Sequence, residues 1–397
     1  MINRKTNKMA SSVVAVIQRE ITRILRDKVY LYIGLIAPVA GFMLISVIFS
    51  ANVPRKLPVA IVDQDHTAFS RKMIRMIDAA PIAKTDNHYT TPEEARKAMN
   101  SGEADAIVVI PASTEKKIIR GEHADVAVYL NNVYLIKSGL LKSGIQKSIG
   151  TLSAAIKLQT HMMWGESHTQ AIAKIQAVQL TPVLLFNPYT SYEYYLTLLL
   201  LPALFTVFVL FGTIYALGTE LQYGTGPEWL KTAEDRIPEA ITGKLAPHTF
   251  WYFGIAIVMN LIFFEVLGLP LRGHYLLILV SEFVMVLSYQ FMAIFLVTLT
   301  KNLRLALSLA SAYTMLAITF AGLTFPAFGM PAIAQIFGKI FPLTYWLDLF
   351  IGQTLLGEPT ANGIATIWFL VIFIVAGICT VPRFTYLLKN EKYWGKI

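Results

Sequence analysis

Six long apolar stretches, almost free of charged residues, constrain the fold of this chain more than any other feature. They cover residues 29–50, 192–217, 250–269, 275–299, 303–325 and 364–381. At 1.5 Å per residue the first stretch forms a helix about 33 Å long, which is enough to cross a hydrocarbon core of about 30 Å. The sequence therefore predicts an α-helical polytopic membrane protein with six transmembrane helices.

The composition agrees with a membrane protein and argues against a soluble one. Charged residues make up 15% of the 397 residues, against roughly 25% in soluble domains. The net charge of +9 does not indicate a nucleic-acid partner, because many basic residues lie at the ends of apolar stretches, where they set topology. The one cysteine, Cys379, excludes an intrachain disulfide and a cysteine-based metal site.

Basic residues in the short loops predict the orientation in the membrane. They accumulate at both ends of the chain, in residues 220–247 and between the fourth and fifth apolar stretches. The opposite short loops contain only Arg272 and Lys339. Because cytoplasmic loops carry the excess of Lys and Arg, we expect both termini and residues 220–247 in the cytoplasm, and residues 52–190 outside it.

The first 28 residues are predicted to form a loose polar tail, residues 1–10, followed by an amphipathic helix at 12–27. Apolar residues recur there at helical spacing, and a cationic face lies opposite. This pattern is typical of a helix in the membrane interface. The residues expected to mediate the interfacial contact are Ile17, Arg19, Ile21, Arg23 and Ile24.

Residues 52–190 have the character of a soluble domain inserted between the first two spans. Buried strands are predicted at 57–65, 104–111 and 125–131, helices at 67–79 and 91–100, and long helical pieces at 133–164 and on to about 180. Strands that alternate with helices indicate an α/β domain with a partly parallel sheet. The membrane region then resumes at 191 and continues to 388, before a short cytoplasmic tail at 389–397.

Two segments of the membrane region are not simple spans. Residues 220–247 form a polar island with room for a surface helix at 226–233, whose apolar contacts are Trp229 and Leu230; an ordinary solvated loop is the alternative. Residues 326–358 are rich in Phe, Gly and Pro, which favours a re-entrant or interfacial hairpin over another span.

Motifs for catalysis or metal binding are absent from the sequence. It has no G-x-x-x-x-G-K-[ST] motif for phosphate binding, no H-E-x-x-H and no G-x-S-x-G. Asp63, Asp65 and His66 are compatible with a metal site, but a strand end followed by a helix cap is the simpler interpretation. For His161 and His168, surface positions are favoured over a soft-metal site.

Two carboxylates, Glu265 and Glu282, fall inside predicted spans. A carboxylate in hydrocarbon costs several kcal/mol and usually faces a cavity or a partner. Glu265 and Glu282 are therefore candidates to line a translocation pathway or to form a proton-sensitive pair. The alternative is that each lies near the headgroups or bonds a neighbour such as Asn260 or Gln290.

The ordered set of segments resembles the permease subunit of type 2 ABC exporters, in the branch with a large extracytoplasmic domain between spans one and two. The most specific pieces are VAIVDQDHTAFSRKM (59–73), ADAIVVIP (104–111) and FPLTYWLDLFIGQTLLG (341–357). In the cytoplasmic segment the family tends to show Glu-x-Glu-x-Gly-Thr-x-Glu, a leucine pair and a later Gly-Lys. The matching residues are Glu220, Gly224, Thr225, Glu228, Leu230, Gly243 and Lys244. This sequence departs at Gln222, where a second acid is usual, and has an added residue at 226–227.

The resemblance implies an exporter of a lipophilic or envelope-related substrate in the bacterial inner membrane. Two permease protomers, identical or related, would stand above two separate P-loop ATPase subunits that use ATP and Mg²⁺, so this chain itself would bind no cofactor. Residues 12–27 and 220–247, with Trp229, would form the docking surface, and lipid and a periplasmic adaptor are further expected partners. ATP-driven closure of the ATPases would rock the spans between inward and outward access.

Two other functions stay open from the residues alone. A secondary transporter driven by an ion gradient would have inverted repeats and unwound helices at mid-membrane, and no repeat is evident in the sequence. A receptor would need a cytoplasmic output domain, for which the predicted cytoplasmic segments are too short.

Overall fold

The computed structural model describes residues 2–49, 54–175, 192–322 and 325–395. The chain divides into two compact units. We call Met1–Asn52 with Leu185–Ile397 the membrane unit, and Val53–Leu184 the α/β unit. The predicted extension of the second helical piece to 180 and the predicted boundary at 190 fall in residues 176–191, outside the described residues.

Helices dominate the described residues. In chain order they are α1 (Ile2–Arg26), α2 (Lys28–Phe49), α3 (Ala68–Asp78), α4 (Pro92–Ser101), α5 (Thr114–Ile119), α6 (Leu135–Met163), α7 (His168–Ile175), α8 (Tyr192–Gln222), α9 (Gly226–Thr232), α10 (Ile237–Val266), α11 (Tyr275–Thr300), α12 (Leu303–Phe320), α13 (Ala332–Gly338), α14 (Pro342–Ile351) and α15 (Thr360–Lys389). The strands are β1 (Leu57–Asp63), β2 (Ala83–Tyr89), β3 (Ala106–Ile110) and β4 (Ala127–Leu130).

Six of the described helices are long and apolar enough to cross a membrane: α2, α8, α10, α11, α12 and α15. Their number agrees with the predicted number of spans, but α10 begins at Ile237 rather than near residue 250. The polar island is therefore shorter than predicted, and Glu239 and Lys244 lie within the helix. The predicted surface helix at 226–233 corresponds to α9.

The core of the membrane unit forms around α8. In the most apolar 18-residue stretch of α8, 72% of the residues are buried, whereas in that of α15 only 11% are buried. Most of the surface of α15 is therefore exposed. The largest buried side chains include Phe205, Tyr252, Tyr289, Trp346 and Phe350. Aromatic side chains of this size contribute a large share of the apolar area that such a core buries.

A proline in α2 explains one contact between spans. Pro38 has no N–H, so the carbonyl of Gly34 has no donor four residues along the helix. Trp251 of α10 supplies one, since its Nε1 donates to the Gly34 oxygen at 2.9 Å. A Cβ atom at residue 34 would lie 3.0 Å from that nitrogen, and glycine therefore permits the approach. This bond ties α2 to α10.

The segment predicted as a hairpin, 326–358, consists of two short helices. After α13 and α14 comes a π-helical turn, Gly352–Leu356. Phe337 packs edge-on against Phe320 of α12, and the Tyr313 hydroxyl donates to the Ile340 oxygen at 2.8 Å. The segment thus packs on α12; its depth in a membrane stays a prediction.

The α/β unit contains a four-stranded sheet in the order β2-β1-β3-β4. β1 pairs in parallel with β2 and β3, and β4 is antiparallel to β3. One apolar cluster joins the sheet to α3 and α6, and a second covers the sheet with α4. Helices therefore cover both faces, as the buried strands require. The sequence did not predict β2 or α5.

Two helix starts in the α/β unit follow familiar capping chemistry. Thr67 accepts from the Ser70 N–H at 3.2 Å, and Thr91 accepts from the Glu94 N–H at 3.2 Å, each within a capping box. Asp63 accepts from two backbone N–H groups in the turn after β1. Asp63 thus closes the turn that ends β1, and Thr67 caps α3.

Candidate functional site

The carboxylate of Glu220, in the last turn of α8, is surrounded by hydrogen-bond donors. Arg19 donates from both terminal nitrogens, at 2.8 Å to Oε1 and 3.2 Å to Oε2. Lys244 donates to Oε1 at 2.9 Å, and Arg23 and Thr225 donate to the same carboxylate. Because the Glu220 side chain is fully buried, protein groups alone neutralise its charge.

A second carboxylate, Glu20 of α1, joins these groups through Lys244. The Lys244 Nζ atom donates to Glu20 Oε2 at 2.7 Å, and His248 Nε2 lies 3.0 Å from Glu20 Oε1. Both Glu20 and Lys244 are 0% exposed. We call the following six residues the ion cluster: Arg19, Glu20, Arg23, Glu220, Lys244 and His248.

Helical spacing assembles the ion cluster from three helices. On α1, Arg23 follows Glu20 by three residues and Arg19 by four, and on α10 Lys244 and His248 stand four apart, so each set shares one side of its helix. Gly243 lets the two helices approach, since a Cβ there would lie 2.7 Å from Cβ of Val16 and 3.0 Å from the Val13 oxygen. The close approach brings Lys244 next to Glu20.

The charges in the cluster are nearly balanced. Three cations face two carboxylates, and the two arginines remain 24% and 20% exposed, so water still solvates part of the excess positive charge. Burial by itself raises the pKa of Glu20, but the attraction of Lys244 and the hydrogen bond with His248 outweigh it and hold that pKa at about 2. Glu20 is therefore ionised at neutral pH. Removing one partner of such a buried pair costs about 3–5 kcal/mol.

Trp229 connects the ion cluster to α9. Its indole Nε1 donates to the Ala240 oxygen at 3.2 Å, which joins α9 to the first turn of α10. The Lys244 ammonium lies 4.9 Å from the centroid of the indole ring, within the range of a cation–π interaction. The ring also packs near Phe384 of α15 at 6.3 Å. A displacement of α9 therefore acts directly on α10, α15 and the ion cluster.

The outer side of α9 and the turn after it are exposed and charged. Glu228 and Lys231 face away from the protein, and Tyr223, just before α9, is 68% exposed. Glu234 and Asp235 both have positive φ angles, 55° and 56°, an unusual conformation for residues with a Cβ. This surface is available for a partner, whereas Glu20, Glu220 and Lys244 of the ion cluster are buried.

The structure separates the predicted coupling residues into two groups. Glu228 is exposed, and Gly224 and Thr225 are half-buried. The others are buried: Glu220, Trp229, Leu230, Gly243 and Lys244. The charged atoms of Lys244 and Glu220 bond to each other and to α1, and a role of these residues in coupling to an ATPase stays a prediction.

The helix predicted to lie in the membrane interface is longer than expected, and its cationic face meets a protein carboxylate. It begins at Ile2, so residues 2–10 are helical rather than a loose tail. Arg19 and Arg23 face Glu220, while Ile21 and Leu25 are exposed, Leu25 to 81%. Ile17 and Ile24 are half-buried. The exposed residues of α1 thus include the apolar Ile21 and Leu25 together with the cation Arg26, and an interfacial location stays a prediction.

The two carboxylates predicted inside spans occupy different surroundings. Glu282 is fully buried in α11, and its Oε2 accepts from Asn260 Nδ2 of α10 at 2.8 Å. That is the neighbour proposed in the alternative interpretation of the sequence. Glu265 is exposed in the π-helical turn Ile262–Val266 that ends α10. A lining role in a pathway stays a prediction for both.

Sequence reasoning missed two members of the cluster, Glu20 and His248. Glu20 is one of two acids, with Asp27, in a strongly basic N-terminal segment, a signal that could have indicated an internal partner for it. His248 follows Lys244 by four residues, which places both on one helix face. Among the described residues no group of His, Cys, Asp or Glu has the arrangement needed to hold a metal ion.

Comparison with known proteins agrees with this architecture. No curated protein matches the chain. The family model described as ABC-2 family transporter protein matches residues 28–381, which include all six candidate spans except the last eight residues of α15. The predicted transmembrane permease of an ABC transporter is thereby confirmed at the level of the family. The chain belongs to the ABC-2 family of transporter membrane proteins.

Proposed function

We propose that this protein is the permease subunit of an ATP-driven type 2 exporter, moved by a separate ATPase subunit that binds beside α9. The observation that carries the proposal is the combination of an exposed, charged α9 with the buried ion cluster behind it. A force applied to α9 reaches α8, α10 and α1 through the contacts of Trp229, Glu220 and Lys244.

Buried salt bridges suit this transmission better than apolar packing alone. An ion pair fixes the direction and register of its partners, and it resists separation because each unpaired charge is costly to bury. α1, α8 and α10 therefore move together when α9 is displaced. Rocking of helices as rigid bodies is a common way to alternate access.

The remaining parts of the proposal extend the family assignment. Two copies of the permease, or a related pair, flank the route, and the ATPase partner binds ATP and Mg²⁺. α9 and both termini face the cytoplasm of a bacterium, the α/β unit lies outside the inner membrane, and a periplasmic adaptor is a further candidate partner. The substrate class is lipophilic or envelope-related, taken from the cytoplasm or the inner leaflet. The basic residues near the ends of the spans support the orientation.

Co-purification tests the proposal directly. The tagged permease is isolated from native membranes in mild detergent, and proteins present in matching amount are identified by mass spectrometry. We expect a P-loop ATPase, and we expect the pair, but not the permease alone, to hydrolyse ATP. Transport by the permease alone in vesicles, driven by an ion gradient and indifferent to ATP, would instead favour a secondary transporter.

A further inference from the structure

The segment that follows α15 packs against the turn that leads into α9. Trp394 lies on Gly224, where a Cβ atom would come within 2.8 Å of the indole ring. Gly224 has a φ of +66°, so glycine is favoured there for its backbone as well as for space. We call residues 390–395 the clasp.

Two hydrogen bonds of the clasp satisfy carbonyls at the ends of two different helices. The Gly395 N–H donates to the Leu221 oxygen in the last turn of α8, at 3.3 Å. The Trp394 Nε1 donates to the Leu388 oxygen in the last turn of α15, at 3.2 Å. The last carbonyls of a helix have no partner within it, so the clasp joins α8 and α15 through groups that each helix leaves free.

Further contacts hold the clasp and the end of α15 to the same region. Lys389 pairs with Asp235, in the turn after α9, at 3.4 Å. Leu388 closes on Gly226, the first residue of α9, where a Cβ would lie 2.9 Å from a Leu388 methyl carbon. The first residue of α9 and the turn after α9 thus both contact the end of α15, while Glu391 and Lys392 remain exposed.

We propose that the clasp forms part of the surface that the partner ATPase binds, by fixing the turn before α9 and by presenting Glu391 and Lys392 next to it. The inference rests on the proposed function and names a further part of its docking site. The clasp lies beyond residues 28–381, which the family model matches, so membership in the family does not by itself assign it this role.

Cross-linking within the purified permease–ATPase complex is the deciding experiment. A photoreactive amino acid replaces Lys392 in one sample and Asn362 in the control. Mass spectrometry then identifies the cross-linked protein from its peptides, and the P-loop sequence shows whether that protein is the ATPase. Asn362 is exposed near the other end of α15, about 40 Å away at 1.5 Å per residue. We expect adducts with the ATPase from residue 392 and none from residue 362.

Two variants of Trp394 test the bracing role. Trp394→Ala removes the ring from Gly224, and we expect about tenfold less ATPase to co-purify. Trp394→Phe keeps a ring there but loses the bond to Leu388, and we expect most of the binding to remain. Size-exclusion profiles and melting curves of both permeases identify any loss that comes from misfolding.

The outcomes distinguish a failure of the clasp inference from a failure of the proposed function. Absence of a P-loop ATPase from the wild-type preparation contradicts the proposed function itself. If a P-loop ATPase co-purifies but forms no adduct with residue 392, the clasp inference is overturned and the proposed function is unaffected. Wild-type binding by Trp394→Ala overturns the bracing role even where the adduct forms.

Discussion

Replacing Glu20 by Gln tests the central feature of the membrane unit, the ion cluster. Gln keeps the shape of the side chain and removes its charge. Lys244 then keeps a single carboxylate, Glu220 at 2.9 Å, which it shares with Arg19 and Arg23. Removing one partner of a buried pair costs about 3–5 kcal/mol. Because Glu220 still compensates Lys244 in part, we expect the lower end, about 3 kcal/mol.

That loss converts into a measurable shift of the melting temperature. A change of 1 kcal/mol moves the Tm of a large domain by about 2–4 °C, so E20Q should melt at least about 6 °C below the wild type. The assay is thermal unfolding in detergent, followed by size-exclusion chromatography of the fraction that stays folded. Glu228→Gln is the matched control: Glu228 is exposed, and we expect its change to stay within about 0.5 kcal/mol.

A double variant separates the loss of the pair from the loss of a side chain. In E20Q/K244M no ammonium is left unpaired near residue 20. The double variant should therefore lose less free energy of unfolding than the two single variants lose in sum, by about 1 kcal/mol or more. Strict additivity, or an E20Q protein that melts within 2 °C of the wild type, would refute the argument that the buried charges stabilise each other.

Three further predictions follow from the same contacts. The pKa of Glu20 is lowered from 4.5 to about 2, so its ionised form stabilises the protein fully above about pH 4.5, and this stabilisation is lost as the pH falls toward 2. The difference in Tm between wild type and E20Q should therefore be constant from about pH 8 to 5 and become smaller below about pH 4.5. A difference that grows in acid would contradict this. Glu228→Lys should reduce the amount of co-purified ATPase about tenfold, which corresponds to about 1.4 kcal/mol, without lowering the Tm of the permease. Lys244→Glu should lower the Tm of the permease, because Lys244 is buried in the ion cluster. Equal Tm values for the two variants would place Lys244 at the surface. Gly243→Ala should destabilise the protein by about 1–3 kcal/mol, because its Cβ meets Val16, while Gly254→Ala on the same helix, where nothing lies within 4 Å, should be neutral or stabilising in a melting assay.

The sequence predicts the spans well where the apolar pattern is continuous. It does not predict the start of a helix where distant ion pairs allow charged residues to be buried. The polar residues of 220–247, which include Glu239 and Lys244, predict a third span that begins near residue 250. In the structure Lys244 pairs with Glu20 and Glu220, which precede it by 224 and 24 residues. Helix α10 can therefore begin at Ile237, and no local pattern records partners so distant in sequence.

The strand β2 escaped prediction for a different reason. Its sequence, AKTDNHY, has no apolar run and no regular alternation, and it lies at the edge of the sheet beside β1. Edge strands are commonly polar, which prevents pairing with other chains. The central strands β1 and β3 are nearly continuous apolar runs, and those the sequence did indicate.

The orientation of α1 required information that its own periodicity does not contain. A polar stripe on a helix can face water, headgroups or a charged protein partner, and the spacing is the same in each case. The partner is Glu220, an acid in the last turn of α8, where the helix dipole disfavours negative charge. Such an acid, once buried, requires cations, and Arg19, Arg23 and Lys244 supply them. Three cations around one buried carboxylate in turn require a second anion, which accounts for the position of Glu20 against Lys244.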